Sequence, residues 1–296
     1  MTASEPALAR DVAAPCLVCG GALAPSNLSG LLSCSDCGFV TADVRLAPGE
    51  LEAIYGKDYF HGAEYRDYAE EERSLRLNFR DRIATLATLL PPLATVDVFE
   101  VGCAYGYFLE EMSGKVRNAA GIDISTHAIA KARERGLAAI AGDYLSHRIA
   151  APVDLVAMWD AIEHVEHPDR FVRKAASDLK PGGLFALTTG DIGSLNARLR
   201  GRRWRMIHPP THLHYFSVAT VSRLLDAAGF DVVHVSHPGN SRELRSILHF
   251  ILALRLGRDE LYRRVEKSRL LDLRLSLNLF DIMFVVARRR AVGDAP

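Results

Sequence analysis

The 296-residue sequence lacks any hydrophobic run long enough to cross a membrane, and its opening stretch MTASEPALARDVAAP contains no apolar segment of signal-peptide length. It also lacks an excess of either charge, because 36 Lys and Arg residues balance 36 Asp and Glu residues. A global field that would recruit nucleic acid or an anionic membrane is therefore excluded, and recognition by charge must be local. We expect a cytoplasmic protein with no membrane span. The sequence does not specify its oligomeric state.

Cysteine is scarce, and four of the five cysteines form two pairs near the N-terminus, Cys16-x2-Cys19 and Cys34-x2-Cys37. In a reducing compartment, this pairing indicates a metal site rather than disulfides. Each pair directs two thiolates to one point, so the four sulfurs predict a closed, structural Zn²⁺ site. The alternative is four unrelated thiols. Because this segment has few large apolar residues, it needs such a metal to fold. We predict a zinc ribbon over 15–47, after a flexible tail over 1–14.

Segments typical of strands and helices alternate from about residue 96 onward. The strand segments are TVDVFEV (95–101), AAGIDI (119–124), AAIAGD (138–143), VDLVAMW (153–159), LFALTT (184–189), DVVHVS (231–236) and LNLFDIMFVVARR (277–289). This alternation is typical of parallel βαβ units. We predict an α/β fold, a doubly wound Rossmann-like sheet of seven mostly parallel strands with helices on both faces. It occupies residues 96–296, with a helical insertion at about 240–275, and follows a helical and aromatic lid and linker over 48–95.

A glycine-rich turn, Glu100-Val-Gly-Cys-Ala-Tyr-Gly106, follows the first of these strands and opens a helix. Gly102 permits the sharp turn, and Gly106 lets the backbone and the helix N-terminus approach a ligand. Asp123 lies near the end of the second strand, where a carboxylate can bind both hydroxyls of a ribose. Asp143 and the pair Trp159-Asp160 end the next two strands. In an open α/β sheet, ligands bind beyond the carboxyl ends of the strands, so these residues predict one shared crevice.

Five segments together, ExGxxxG, GID, AGD, WDAIEHVEHP and LKPGG, resemble the class I S-adenosylmethionine-dependent methyltransferases over about residues 96–290. The resemblance implies S-adenosyl-L-methionine as cofactor. It also implies a lid in which Tyr59 or Tyr65 closes over the cofactor; the alternative is that these tyrosines serve only in packing. The other cofactor-binding residues implied are Glu100, Gly102, Cys103, Ala104, Gly106, Asp123, Ile124, Asp143, Tyr144, Trp159 and Asp160. The family usually has glycine at the position of Ala104. An NAD enzyme is the competing interpretation, but the turn departs from GxGxxG.

Acidic and histidine residues form a third group. Asp160, Glu163 and His164 follow the fourth strand, and His212 and His214 lie in the segment HLHYFS. Because methyl transfer to a hydroxyl requires removal of a proton, we predict that a histidine here is a general base near the sulfonium. The HLHYFS segment resembles those of sugar and small-molecule methyltransferases. In the similar ubiquinone-pathway and small-RNA 2′-O-methyltransferases, the matching set holds a divalent metal, here Asp160, Glu163, His164 and His212. The alternative is that these residues only cap a helix and fill the core.

The acceptor is the least determined part of the function. A run of five arginines (Arg198, Arg200, Arg202, Arg203 and Arg205) surrounds Trp204, and arginine matches phosphate while tryptophan can stack on a sugar or base. The alternative is a solvated loop. We predict methylation of a small or carrier-linked acceptor that contains a sugar or phosphate. The competing hypotheses are an RNA methyltransferase whose ribbon binds RNA and a non-catalytic binding module. Segment 15–41 contains no Lys or Arg, which disfavours nucleic acid as a partner.

Overall fold

The structure is a computed structural model that describes residues 14–44, 71–244, 248, 252, 258–265, 271 and 274–291. Tyr59 and Tyr65, the tyrosines of the predicted lid, lie outside the described residues, as do most of the N-terminal tail and much of the range 240–275. Among the described residues, no helix is both long enough and apolar enough to span a membrane.

The described residues form strands and helices that alternate along most of the chain. The strands are β1 (Leu23–Pro25), β2 (Leu31–Cys34), β3 (Val40–Ala42), β4 (Asp97–Val101), β5 (Asn118–Asp123), β6 (Ala138–Ala141), β7 (Val153–Trp159), β8 (Leu179–Gly190), β9 (His214–Tyr215), β10 (Phe230–Ser236), β11 (Asn240–Glu243), β12 (Arg274–Leu277) and β13 (Ile282–Arg289). The α-helices are α1 (Glu72–Ala87), α2 (Tyr107–Met112), α3 (Thr126–Glu134), α4 (Pro168–Asp178), α5 (Leu195–Arg200), α6 (Val218–Ala227) and α7 (Asp259–Val265).

The main sheet has seven strands in the order β10-β13-β8-β7-β4-β5-β6. β4 pairs in parallel with both β5 and β7, and β6 and β8 extend the parallel pairing on either side. β13 is antiparallel to both β8 and β10. The sequence prediction of a doubly wound, seven-stranded and mostly parallel sheet is therefore confirmed.

Helices cover both faces of this sheet, because alternate residues of each strand point to opposite sides. On β4, Phe99 and Val101 join the apolar cluster that contains Val172 of α4 and Leu224 of α6. Val98 joins the opposite cluster, which contains side chains of α1 and α2.

Two helices among the described residues begin at serine caps. The Ser125 hydroxyl accepts a hydrogen bond from the backbone N–H of Ala128 and caps α3. Ser217 and Thr220 form a reciprocal capping box at the start of α6.

The cysteine-rich segment shares a sheet with the main domain. Strands β1, β2 and β3 form an antiparallel sheet whose fourth strand is β9. The ring of Phe39 packs against those of His214 and Phe216, at centroid distances of 5.6 and 5.3 Å. Buried residues of the segment therefore belong to the same apolar cluster as α4 and α6.

Two boundaries differ from the sequence prediction. The fifth strand is predicted from 184, but β8 begins at Leu179, which pairs with Val153 of β7, so the segment LKPGG lies within the strand. The last strand is predicted from 277 but begins at Ile282, because Leu277 pairs with Asn240 of β11. The two ends of the range predicted as a helical insertion are thus strands, β11 and β12, that pair with each other in antiparallel. The alternating pattern Arg-Leu-Ser-Leu of β12 favours a strand over a helix.

Candidate active site

The glycine-rich turn lies at the carboxyl end of β4. Gly102 has a φ of 75° and lies so close to Ala161 that an added Cβ would be 3.1 Å from the Cβ of that residue. Gly106 has a φ of 78°, and an added Cβ would be 2.4 Å from Cδ1 of Leu137. Gly106 therefore permits close packing of the turn against Leu137, which precedes β6. Ala104 adopts a φ of 46°, a conformation that favours glycine.

Two carboxylates lie beside this turn. Asp123 Oδ2 accepts a hydrogen bond from the N–H of Ala104 at 2.9 Å, and its Oδ1 accepts from the N–H of Ser125 at 2.8 Å. Glu100 is buried, and its Oε2 has no hydrogen-bond partner within the described part of the chain. Burial, followed by the charge of Asp123, raises the pKa of Glu100 well above its usual range, while Arg82 opposes the shift. The turn and both carboxylates thus form one polar site.

Other residues of the predicted cofactor set divide between this crevice and the core. Ile124 is half-buried and Asp143 is exposed, each just beyond the end of its strand. Tyr144 instead points into the core, where its hydroxyl donates to Asp178 of α4 at 2.8 Å and its ring packs near Phe99. The Tyr144 side chain is therefore turned away from the crevice by its own hydrogen bond and packing.

Cys103 and Trp159 also direct their side chains into packed regions. The Cys103 thiol is buried close to Gly121, where a Cβ added to the glycine would be 3.0 Å from Sγ. The Trp159 ring lies 5.1 Å from that of Phe108, and its Nε1 has no hydrogen-bond partner among the residues described. Only the backbone of Cys103 thus belongs to the turn.

Arg82 of α1 is buried beside the strand ends. Its guanidinium lies 5.1 Å from the centre of the Trp159 ring, and one of its nitrogens is 3.8 Å from Oδ2 of Asp160. Asp160 has a φ of 46°, a rare conformation for a residue with a side chain. A buried cation therefore faces the two strand-end acids Glu100 and Asp160. The sequence prediction omits Arg82, although an arginine on the buried face of α1, between Phe79 and Leu86, is a detectable signal.

Three residues of the predicted metal set come together. One ligand atom from each of Glu163, His164 and His212 lies within 4.8 Å of the other two, and all three side chains are largely buried from solvent. Neither carboxylate oxygen of Glu163 has a hydrogen-bond partner among the residues that the structure describes. Burial, followed by the charge of Asp160, raises the pKa of Glu163 to about 8, although the nearby Thr189 hydroxyl opposes the shift. Asp160 itself stands outside this group, with its side chain partly exposed near Arg82.

The two histidines of this cluster are oriented by backbone carbonyls. Nδ1 of His164 is 2.8 Å from the carbonyl oxygen of Thr211, and Nδ1 of His212 is 2.8 Å from that of Met206. Each ring therefore carries its proton on Nδ1, which leaves Nε2 as the atom with the lone pair. Burial lowers the pKa of His164 to about 4 and that of His212 well below its usual range, so both rings are neutral near pH 7. A carboxylate and two neutral imidazoles form a suitable set of metal ligands.

His214 is separate from this cluster. It is buried at the junction with the cysteine-rich segment, and its Nδ1 is 3.1 Å from Oγ1 of Thr41. His208, which the site prediction omits, instead lies against the cluster, with its ring centroid 3.8 Å from that of His212.

The four paired cysteines converge on one point. The Sγ atoms of Cys16 and Cys37 are 3.6 Å apart, and those of Cys19 and Cys34 are 3.5 Å apart. A tetrahedral zinc with bonds of about 2.3 Å to sulfur would place the sulfurs about 3.8 Å from each other. The geometry is therefore compatible with the predicted zinc ribbon.

Residues 68–235 match a protein family described as a methyltransferase domain. The matched range contains the glycine-rich turn, the strand-end acids and the cluster of Glu163, His164 and His212. The chain belongs to the class I S-adenosylmethionine-dependent methyltransferases.

Curated relatives share part of this methyltransferase sequence. This chain is 37% identical over 153 residues to a ubiquinone biosynthesis O-methyltransferase of Ralstonia nicotianae. The alignment covers 48% of this chain and 61% of the relative. This chain is also 34% identical over 123 residues to the protein of the same name in Cupriavidus pinatubonensis. That alignment covers 39% of this chain and 47% of the relative. The chain thus spans less than two thirds of the length of either relative.

The methyltransferase fold also matches solved structures. The magnesium protoporphyrin IX methyltransferase of Synechocystis PCC 6803, with bound S-adenosylhomocysteine (SAH, the demethylated cofactor), aligns with a TM-score of 0.54 and 12% identity. The alignment covers 82% of this chain and 100% of that chain.

The arginine run of the methyltransferase is partly structural. Trp204 is buried, and its Nε1 donates to Asp281 at 2.9 Å, so its ring cannot stack on a sugar or base as the sequence suggests. Arg205 also donates to Asp281, and Arg202 donates to the backbone oxygen of Ser29. The remaining arginines of the run, Arg198, Arg200 and Arg203, are exposed.

Proposed function

We propose that this methyltransferase moves a methyl group from S-adenosylmethionine to an oxygen of a small or carrier-linked acceptor bound at Glu163, His164 and His212. The observation that carries the proposal is the buried Glu163 carboxylate, which lacks a hydrogen-bond partner among the described residues and faces two oriented, neutral histidines. A buried carboxylate in this state requires a cation or a proton donor. The names of the two curated relatives, both O-methyltransferases, favour oxygen as the methylated atom.

Residues at the ends of β4, β5 and β7 would hold the cofactor. Each carboxylate oxygen of Asp123 has one backbone donor and can accept a ribose hydroxyl as well. The Glu100 carboxylate offers a buried acceptor for the ammonium group of the methionine part. Arg82 supplies the buried positive charge that the methionine carboxylate requires. When bound, S-adenosylmethionine provides an electrophilic methyl group on a positively charged sulfur.

Glu163, His164 and His212 would hold a divalent cation. A carboxylate with two imidazoles, each donating its other ring proton to a backbone carbonyl, matches the donor set and outer contacts of catalytic metal sites. When bound, such a cation would lower the pKa of an acceptor hydroxyl and fix its orientation. Asp160 lies outside the three-residue group, so we assign it to the cofactor side.

A histidine base that acts without a metal is the second candidate at the same site. Because Nδ1 of His212 donates to the Met206 carbonyl, the lone pair on Nε2 could take the proton of an acceptor hydroxyl directly. His164 has the same orientation. His214 fits this role less well, because its Nδ1 contacts Thr41 at the ribbon junction.

Exposed arginines favour an anionic acceptor, such as one that carries a phosphate or a phosphate-linked carrier. Arg198, Arg200 and Arg203 have no acidic partner in the described part of the chain, and residues 192–225 contain no Asp or Glu. The four-cysteine cluster would hold a structural Zn²⁺. Because its segment lacks Lys and Arg, we assign it to structure and not to RNA binding.

Methyl transfer by the zinc-loaded protein to a phenol, a sugar phosphate or a short RNA, with and without Mn²⁺, tests the proposal. We expect transfer to a small hydroxylated acceptor that rises with Mn²⁺. Glu163→Gln and His212→Ala should abolish transfer while the affinity for SAH stays unchanged. His234→Ala is the matched control, because His234 contacts Ser236 on β10. Full activity of Glu163→Gln would contradict the proposed acceptor site, and methylation of RNA alone would contradict the acceptor class.

A further inference from the structure

The ribbon contacts the main domain through a short network of hydrogen bonds. The backbone N–H of Ala42 donates to the carbonyl oxygen of Leu213 at 2.8 Å. The Thr41 hydroxyl donates to the same oxygen at 3.0 Å, and Oγ1 is 3.1 Å from Nδ1 of His214. The Thr41 side chain is fully buried. One ribbon hydroxyl therefore contacts two consecutive residues of the main domain.

On their other side, the same two residues contact the acceptor cluster, which is the group formed by Glu163, His164 and His212. The backbone N–H groups of Leu213 and His214 both donate to the carbonyl oxygen of Glu163, at 2.8 and 3.1 Å. His212, the third member of the cluster, directly precedes Leu213 in the chain. Leu213 and His214 are therefore held between the ribbon and the first residue of the cluster.

The cysteine site is joined to this network through one hairpin. Cys34 ends β2, and its neighbour Ser33 pairs with Val40 at the start of β3. Thr41 follows Val40, so a metal held at Cys34 fixes the hairpin that carries the Thr41 hydroxyl. β3 is paired with β2 on one side and with β9 on the other, and this pairing on both sides restricts movement of its backbone.

We propose that the ribbon is a positioning element of the acceptor site, and that Thr41 is the residue through which it sets the backbone of Leu213 and His214, and thereby the spacing of Glu163 from His212. The role given to the cluster rests on the proposed function. The hydrogen-bond network does not depend on it.

Thr41→Val tests the proposal because valine keeps the shape of threonine and removes its hydroxyl. Loss of a buried hydroxyl between two polar groups should speed amide exchange of Leu213 and His214 by about tenfold. Mn²⁺ should bind the cluster more weakly by a similar factor, because the two ligand-bearing segments lose their common support. Mn²⁺ suits this test, because the thiolates retain zinc and the carboxylate and imidazoles accept the harder ion.

Full-length, zinc-loaded protein is compared as wild type, Thr41→Val, Thr41→Ser and Ser35→Ala. Thr41→Ser should restore both values, and Ser35→Ala should match the wild type, since the Ser35 hydroxyl lies on the exposed side of the ribbon. Zinc content and SAH affinity should be equal in all four proteins. Wild-type exchange and wild-type Mn²⁺ affinity in Thr41→Val would overturn the proposal.

Two further outcomes separate this proposal from the proposed function. If the wild type binds no Mn²⁺, the cation at the cluster is refuted, and the exchange rates alone decide the role of Thr41. Removal of zinc by a chelator should speed exchange in residues 211–216 more than in β7. Equal acceleration in both regions would mean that the ribbon only adds global stability, and it would overturn the positioning role.

Discussion

Replacing Ala104 by glycine should stabilise this methyltransferase. Ala104 lies in the glycine-rich turn with a φ of 46°. A left-handed conformation costs a residue with a Cβ about 1–2 kcal/mol. Glycine avoids that cost but loses about 0.5–1 kcal/mol, because its unfolded chain has more conformations. The expected net gain in the free energy of unfolding is about 0.5–1 kcal/mol.

Thermal unfolding measures this gain. For a chain of this size, we expect the Tm of Ala104→Gly to rise by about 1–3 °C. SAH binding should persist, because the backbone N–H of Ala104 that donates to Asp123 is retained. Ala151→Gly is the matched control. Ala151 is exposed and is not among the residues with positive φ, so glycine there should lower the Tm.

The opposite substitution completes the test. Gly106→Ala should lower the Tm sharply, because φ is 78° and the new Cβ would be 2.4 Å from Cδ1 of Leu137. If Ala104→Gly lowers the Tm as much as Ala151→Gly does, the backbone at Ala104 carries no strain and the reasoning is refuted.

The remaining predictions concern the cofactor, the ribbon and the buried carboxylate of Glu111. SAH should raise the Tm of the intact protein, and Asp123→Ala should abolish that rise in the same thermal assay. Arg82→Met should weaken SAH binding, measured by calorimetry, and leave Mn²⁺ binding unchanged; weaker binding of both would contradict its placement on the cofactor side. Metal analysis should find about one zinc per chain, and none in freshly purified protein would contradict the ribbon. Glu111→Gln should lower the Tm at pH 7, because Arg80 and Arg76 lower the pKa of Glu111 to about 2. That stabilisation is present above the unfolded pKa of about 4.3 and is lost as the pH falls toward 2, so the two Tm values should converge in acid.

The fold could be predicted because its signals are local. Each parallel strand is a short apolar run, and the capping serines Ser125 and Ser217 mark helix starts within a few residues of the preceding strand or turn. The positions of the acids Asp123 and Asp160 followed from the strand ends alone. Strand order at the edge did not, because the pairing of β13 between β8 and β10 depends on contacts distant in sequence.

Side-chain direction was the main limit on predicting the site. Tyr144 and Trp204 lie at positions where a ligand contact was expected, but each donates a hydrogen bond to an acid, the half-buried Asp178 and the buried Asp281 respectively. A polar group on an aromatic ring is satisfied by whichever acceptor the fold brings near. In the sequence, Asp281 is a single acid directly before the apolar run of the last strand. Three side chains in or just before the arginine run, Asn196, Trp204 and Arg205, donate to it.

The contact between the ribbon and the acceptor cluster could not be read from the sequence at all, because Thr41 and Leu213 are separated by 172 positions. It nevertheless changes how the two parts of the chain are understood. The proposed donor side is built on β4, β5 and β7, whereas the proposed acceptor side is built on Glu163 and on the segment that pairs with β3. These supports are largely different, so substitutions in the ribbon should alter acceptor or Mn²⁺ affinity without altering SAH affinity, and substitutions at Asp123 should do the reverse.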